Sequence, residues 1–134
     1  MSEAAPPTRG LLIARAAAYG AFVAVPVALI NTVLAAQDPP PALALNLTLL
    51  GLLVGFGVSG FAAGSTVDRD PLQAGAAAAA ITFVPVEVIG LLGRADRGDP
   101  ISLFPIVVVG FLAALAGTAG ARFGRGRRLR KDPS

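Results

Sequence analysis

Apolar residues dominate four long stretches of this chain, and polar residues gather between the stretches and at both ends. The stretches cover approximately residues 16–36, 42–67, 71–93 and 101–121. Because a helix rises about 1.5 Å per residue, roughly 20 residues cross a hydrocarbon core about 30 Å thick. Each stretch is long enough to do so. The pattern therefore predicts an all-α membrane protein folded as a four-transmembrane-helix bundle.

The breaks between the stretches carry residues that end or start helices. The three prolines Pro39–Pro41 end the first helix, because proline cannot extend one. Pro71 suits the first position of the third helix, where its missing N–H is not needed. Loops this short make neighbouring helices antiparallel. We expect residues 1–9 to be disordered, 10–121 to form the transmembrane domain and 122–134 to form a basic cytoplasmic tail.

The two halves of the chain resemble each other. The segment Val84–Ile89 repeats Val25–Ile30, and the proline inside each segment, Pro85 or Pro26, falls at the matching position. Each half is one helical hairpin, so both copies enter the membrane in the same orientation. Such a parallel repeat has its pseudo-twofold axis along the membrane normal. The sequence thus predicts two pseudo-repeated helical hairpins.

Composition agrees with a membrane location and limits the chemistry. Hydrophobic residues make up 54% of the chain and charged residues 14%, whereas a soluble domain carries about 25% charge. The chain has no Cys and no His, which excludes disulfides, thiolates, imidazole bases and the commonest metal ligand. No catalytic or phosphate-binding motif stands out. We expect no enzyme activity, no cofactor and no metal. The preference for Arg and Ala hints at a bacterial source.

The cationic residues are distributed unevenly among the predicted loops. Only Arg94 and Arg97 fall on the side of the first and third loops, whereas the other nine fall on the side of the two termini. Cytoplasmic loops carry an excess of Lys and Arg, so both termini are predicted to be cytoplasmic. The chain is expected to be a multi-pass protein of the cell membrane, in bacteria the inner (plasma) membrane.

The strongest charge run follows the fourth stretch directly. Basic runs bind nucleic acids in some proteins, but a run beside a transmembrane helix typically contacts anionic lipid headgroups. We therefore expect the lipid bilayer, and no nucleic acid, as the partner of this run. The predicted headgroup contacts are Arg125, Arg127, Arg128 and Arg130.

Small residues recur at a four-residue spacing in the second and fourth stretches. The rows are Gly51 with Gly55, Gly60 with Gly64, and Ala113 with Gly117 and Ala121. Such rows let helix backbones approach closely, where dispersion replaces the hydrophobic force that lipid cannot supply. They could form a homodimer interface, or an interface with another membrane protein. The interpretation we favour is packing among the four helices of one chain.

Glu87 is the only ionisable residue well inside a stretch, roughly 9 Å from the nearer helix end. A carboxylate at that depth costs a few kcal/mol unless it is paired, hydrated or protonated. Pro85 leaves the carbonyl of Ile81 without its helical donor, next to the acid. Glu87 is a candidate proton or ion site. Alternatively it extends to the membrane surface or pairs with Arg94 or Arg97.

Further polar residues enter the membrane from the same side as Glu87. They fall within roughly 10 Å of that surface and include the candidate site residues Asn31, Asn46 and Thr48, together with Thr32 and Ser102. They could converge on a pocket open to that side. They could equally form ordinary hydrogen bonds between helices, worth about 0.6 kcal/mol each.

The stretch Gly60-Phe61-Ala62-Ala63-Gly64, followed by a short charged turn, resembles a pattern in small four-helix bacterial membrane proteins. Those proteins carry a G-G-F-x-A-G-type stretch at the end of the second helix, where this chain has Ser59 in place of the first Gly. The resemblance covers about forty residues and implies a four-helix fold. It brings no established activity.

The sequence is compatible with three functions. The leading one is a small integral membrane protein that acts through helix–helix contacts as an accessory or structural component. The first alternative is a small dimeric transporter or channel coupled through Glu87. The second alternative is a holin-like pore former, for which small size, several spans and a basic tail are suggestive.

Overall fold

The computed structural model describes residues 5–131, and this part of the chain folds into four α-helices. They are α1 (Arg9–Ala35), α2 (Ala42–Thr66), α3 (Pro71–Arg97) and α4 (Leu103–Lys131). All four are long and apolar enough to cross a membrane. The prediction of an all-helical fold with four helices long and apolar enough to span a membrane is confirmed over these residues.

The first helix begins earlier than the apolar pattern predicted. The Thr8 side chain accepts a hydrogen bond from the Leu11 backbone N–H at 3.2 Å, which satisfies one free donor of the first turn. Arg9, expected in the disordered segment, is therefore the first residue of α1. Residues 1–4 of that predicted segment lie outside the described residues.

The last helix extends further than the apolar pattern predicted. It continues past Ala121 to Lys131, so the basic segment is helical over residues 122–131. Cations in the last turn of a helix interact favourably with the partial negative charge of the free carbonyls. The end of the predicted tail, residues 132–134, lies outside the described residues.

The third helix also outlasts its apolar stretch, ending at Arg97 rather than near Gly93. Gly98 follows it with φ of 72°, a left-handed conformation that glycine adopts without steric cost. The backbone N–H groups of Gly98 and Asp99 bond to the carbonyls of Ala95 and Arg94. Arg94 and Arg97, which the apolar pattern placed after the third stretch, thus belong to the last turn of α3.

The helices pack as a rhombus. Helices α2 and α3 contact each other and both remaining helices, whereas α1 and α4 make no contact with each other over residues 5–131. The two chain ends meet the α2–α3 turn: Arg9 donates to the Asp70 carbonyl, and Arg128 donates to the Val67 carbonyl. We call this the terminal end. The opposite end, with the α1–α2 and α3–α4 connections, is the loop end.

Small residues fill the interior and large ones cover the outside. Among the fully buried side chains of residues 5–131 the largest are Phe56, Thr82 and Ser59, and most of the others belong to alanine. In contrast Phe22 is 84% exposed and Phe104 77%. This is the reverse of a soluble protein and suits a bundle whose surface meets lipid, where close backbone contact holds helices together.

Candidate functional site

A small cavity at the loop end gathers polar side chains. Its volume is about 140 Å³, and all four helices contribute to its walls. Two polar residues come from α1 and two from α3: Asn31, Thr32, Glu87 and Arg94. The rest of the lining is apolar or glycine. Since a water molecule occupies about 30 Å³, the cavity has room for a few waters or one small ion.

The α1 wall of the cavity is tied to α2 by a hydrogen bond. The Thr48 hydroxyl of α2 bonds to the side-chain oxygen of Asn31 and also lies 2.8 Å from the carbonyl of Leu45. The neighbouring Thr32 hydroxyl donates to the Ala28 carbonyl, 3.0 Å away. These bonds hold Asn31 and Thr32 in place beside the cavity. Thr48 therefore supports the site from behind its wall.

The α3 wall carries the charges. Glu87, Gly90 and Arg94 are spaced three and four residues apart, so they share one helix face. A Cβ atom on Gly90 would have no described atom within 4 Å, which means that this glycine leaves open space between the two charged side chains. From the sequence, Arg94 was predicted only as a possible ion-pair partner of Glu87. Arg94 follows Glu87 by seven residues, which is two helical turns, and this spacing was the sequence signal that could have placed both side chains on one face.

Glu87 is not held by a close ion pair in the described chain. The ion pairs within 4.0 Å over residues 5–131 join Arg69 to Asp70, Arg97 to Asp99, and Arg128 to Asp68. Arg97, one expected partner, donates instead to Asp99 at 2.9 Å. Arg94, the other, lines the same cavity without reaching the carboxylate.

Two polar residues that the sequence grouped with Glu87 lie elsewhere. Asn46 and Ser102 are both exposed, and neither lines the cavity. Asn46 is two residues from Thr48 on α2, so the helical rotation of about 100° per residue turns it away from the cavity. Similar depth in the membrane did not mean a shared face.

The bundle is closed below the cavity. Leu52 and Val86 form its floor, and the fully buried Phe56 lies one turn further in, edge-on to Phe83 with ring centroids 6.2 Å apart. Thr82 follows, and its hydroxyl is 3.0 Å from the carbonyl of Ala17 on α1. Phe56 and Thr82 thus separate the polar loop end from the terminal end.

Comparisons of the chain with protein-family models, with curated proteins and with solved structures found no match. The resemblance noted for the stretch from Gly60 to Gly64 therefore assigns no residue roles.

The glycine rows face neighbouring helices of the same chain. Gly51 and Gly55 lie against Val27 and Ala24 of α1. A Cβ on Gly60 would overlap the Gly117 carbonyl of α4, and one on Gly64 would overlap Ala121. Gly117 in turn lies against α3, where a Cβ would come 2.5 Å from that of Ala79.

Other small residues are equally important for packing, and the sequence reading missed them. Gly120 and Gly124 of α4 lie against the α2 backbone, and their own four-residue spacing could have revealed them. In α1 the buried row is Ala16, Gly20, Ala24 and Ala28, again spaced by four. Alanine at three of these positions concealed the row among many other alanines.

The four predicted headgroup contacts lie in different surroundings. Arg127 and Arg128 line a groove at the terminal end. Arg125 borders a separate shallow depression beside Asp70, and Arg130 is exposed. Arg128 is also a packing residue, because its guanidinium donates to the Val67 carbonyl and to Asp68, both at 2.8 Å.

Proposed function

We propose that this protein is a small multi-pass component of the membrane that acts through helix–helix contacts, as an accessory or structural partner of another membrane protein or of a second copy. The observation that supports this most is the closed interior. Glycine and alanine bring the helices into backbone contact from Gly55 to Gly64, and the fully buried Phe56 fills the interior at the loop-end side of this stretch. The broad apolar surface is what remains available for contact.

Photo-crosslinking in the host membrane tests this function. Benzoylphenylalanine would replace one exposed residue on each helix in turn: Phe22, Leu50, Val88 and Phe111. A protein that works through helix contacts should give a discrete protein adduct from one face or two adjacent faces, and lipid adducts elsewhere. Lipid adducts alone from all four positions would contradict the proposal. Rapid dye release from liposomes containing the pure protein would favour the holin-like alternative instead.

The proposed location is a bacterial inner membrane with both termini in the cytoplasm. The support is the cation bias of nine residues at the terminal end against Arg94 and Arg97 at the loop end. Cysteines replacing Ala5 and Lys131 should resist a membrane-impermeant thiol reagent in intact cells, while one replacing Asp96 should react. The opposite labelling pattern would reverse the orientation.

The pseudo-repeat of two hairpins belongs to the same proposal. It is supported by the prolines inside α1 and α3, Pro26 and Pro85, which stand at equivalent positions of the two halves. Two copies in the same orientation are consistent with an origin by duplication of one hairpin.

A second candidate function, transport or conduction of protons or small cations coupled through Glu87, is favoured by the loop-end cavity. There a carboxylate without a close ion-pair partner in the described chain shares about 140 Å³ with Asn31, Thr32 and Arg94. Flux into proteoliposomes under a pH gradient tests this function. Coupled flux should be present in the wild type and lost in Glu87→Gln, because an amide cannot exchange a proton. Absence of flux from both proteins would reject this candidate.

A further inference from the structure

A cationic groove lies at the terminal end, away from the polar cavity. Because α1 and α4 do not touch over residues 5–131, a space of about 530 Å³ remains between them, with α2 as its floor. Arg15 and Tyr19 approach it from α1, and Arg127 and Lys131 from α4. The floor combines Phe61 with the hydroxyls of Ser65 and Thr66.

Three of the four cations that line this groove have no acidic partner in the described chain. Over residues 5–131 no acidic side chain lies within 4.0 Å of Arg15, Arg127 or Lys131, and Asp68 is bonded to Arg128, the fourth cation of the groove. Arg127 and Lys131 are one helical turn apart on the same face. They face Arg15 across the groove, so positive charge converges from two helices that do not touch.

Arg15 makes the strongest demand for an anion. It lies six residues inside α1, about 9 Å from the helix start, where a guanidinium is costly unless it is paired or extends to water. A phosphate in the groove would supply the missing negative charge. The Tyr19 hydroxyl offers a further hydrogen-bond donor to it, and tyrosine is favoured at this level of a membrane.

The groove continues into an apolar seam, which distinguishes a lipid from a free phosphate. Phe61 belongs both to the groove and to a shallow space of about 560 Å³ between α2 and α4. The lining of this seam is apolar throughout and runs along α2 from Phe61 back to Leu53, a length of about 12 Å. Arg127 stands over the Phe61 ring at 5.9 Å, at the point where the charged and apolar parts join.

We propose that the groove and the seam together bind one anionic phospholipid. Its phosphate lies among Arg15, Arg127 and Lys131, and one acyl chain follows the α2–α4 seam past Phe61. This site differs from general attraction of the basic helix end to the membrane, because it requires Arg15 of α1. It excludes Arg122 and Arg130, which are exposed on α4 outside the groove.

Lipid binding to the purified full-length chain in detergent tests the proposal. Native mass spectrometry would measure the apparent affinity for dioleoyl-phosphatidylglycerol, with dioleoyl-phosphatidylcholine as the lipid of equal chains and no net charge. The triple variant Arg15→Gln/Arg127→Gln/Lys131→Gln should lose at least about tenfold in affinity for the anionic lipid. The control Arg69→Gln/Arg122→Gln/Arg130→Gln removes the same charge at the same end and should bind like the wild type. Equal losses in both triples would overturn the proposal.

The proposed position of the acyl chain is tested by placing a large side chain in the seam. Ala119 lines the seam and is exposed, so Ala119→Trp should block the chain and weaken phosphatidylglycerol binding. Ala80→Trp makes the same change at an exposed position of α3 and should leave binding unchanged. Glycerol phosphate alone should neither bind measurably nor raise the melting temperature. If it stabilises the protein as much as the lipid does, the groove is a free-phosphate site and the proposal is wrong.

Discussion

The two ends of the bundle are built from the same four helices, yet they are packed by different means. Toward the terminal end, Gly60, Gly64 and Gly75 let helix backbones meet directly, with no space for a Cβ atom. Toward the loop end, Thr48 and Asn31 join α1 to α2 through side chains, and a cavity of about 140 Å³ stays open beside them. In lipid, glycine lets helix backbones approach closely, whereas polar side chains that bond between helices need space between the backbones.

This difference has a physical cause. Lipid tails are as apolar as leucine, so burying apolar area between helices contributes little, and association depends on dispersion and hydrogen bonding. Dispersion is strongest where backbones touch, which only glycine and alanine permit. Polar groups need partners or water, and therefore require room. The terminal half is thus where helix backbones pack most closely, and the loop half holds the polar cavity among the four helices.

Gly60→Leu should have the largest effect among the changes that test this comparison. The new side chain would overlap the Gly117 carbonyl, so α2 and α4 must separate, at a cost of about 3 kcal/mol or more. Thermal unfolding in detergent measures the loss. Gly57→Leu is the matched control three residues away, because a Cβ there meets only the Ala116 carbonyl, at 3.9 Å. Similar melting of the two variants would mean that close packing does not hold the terminal half together.

Phe56→Ala should come next. This side chain is fully buried at the junction of the two halves, and its removal leaves a void beside Phe83. We expect a loss of about 3 kcal/mol in the free energy of unfolding. Phe22→Ala removes the same atoms from a ring that is 84% exposed and should cost much less. An equal cost for both would show that burial of Phe56 does not stabilise the bundle.

Thr82→Val should have a smaller effect, because it removes one hydrogen bond to the Ala17 carbonyl while keeping the side-chain shape. Such bonds contribute about 0.6 kcal/mol, and up to about 1.7 kcal/mol. Thr48→Val removes the equivalent link at the loop end and should cost less, since the cavity lets water take its place. Denaturant titration of the two variants compares the halves directly. A larger loss for Thr48→Val would reverse their order.

Glu87→Gln should have the smallest effect on stability. The carboxylate makes no hydrogen bond and no ion pair within 4.0 Å in the described chain, so the amide should change the free energy of unfolding by less than about 0.5 kcal/mol. The same unfolding measurement checks this. A loss well above 1 kcal/mol would identify Glu87 as a structural partner of Arg94.

The depth of the candidate site along the helices was predictable from the sequence, but the set of residues that line it was not. Glu87 and Asn31 were placed correctly at the loop end, because depth follows directly from helical rise. Asn46 has the same depth and is exposed, because rotation about the helix axis decides which side chains meet. Rotation is normally read from hydrophobic periodicity. In these four helices every face is largely apolar, so hydrophobic periodicity gives almost no information about rotation.

The sequence by itself determined the number of spans, because a stretch of about 20 apolar residues has few alternatives to crossing a membrane as a helix. An even number of short-looped spans also requires both termini at one end, where Arg9 and Arg128 meet the α2–α3 turn. Only the tertiary structure decided which small residues touch and that α1 stays apart from α4. Those outcomes depend on shape complementarity among nearly uniform apolar surfaces, which a one-dimensional pattern does not encode. The groove between Arg15 and Lys131 follows from that separation.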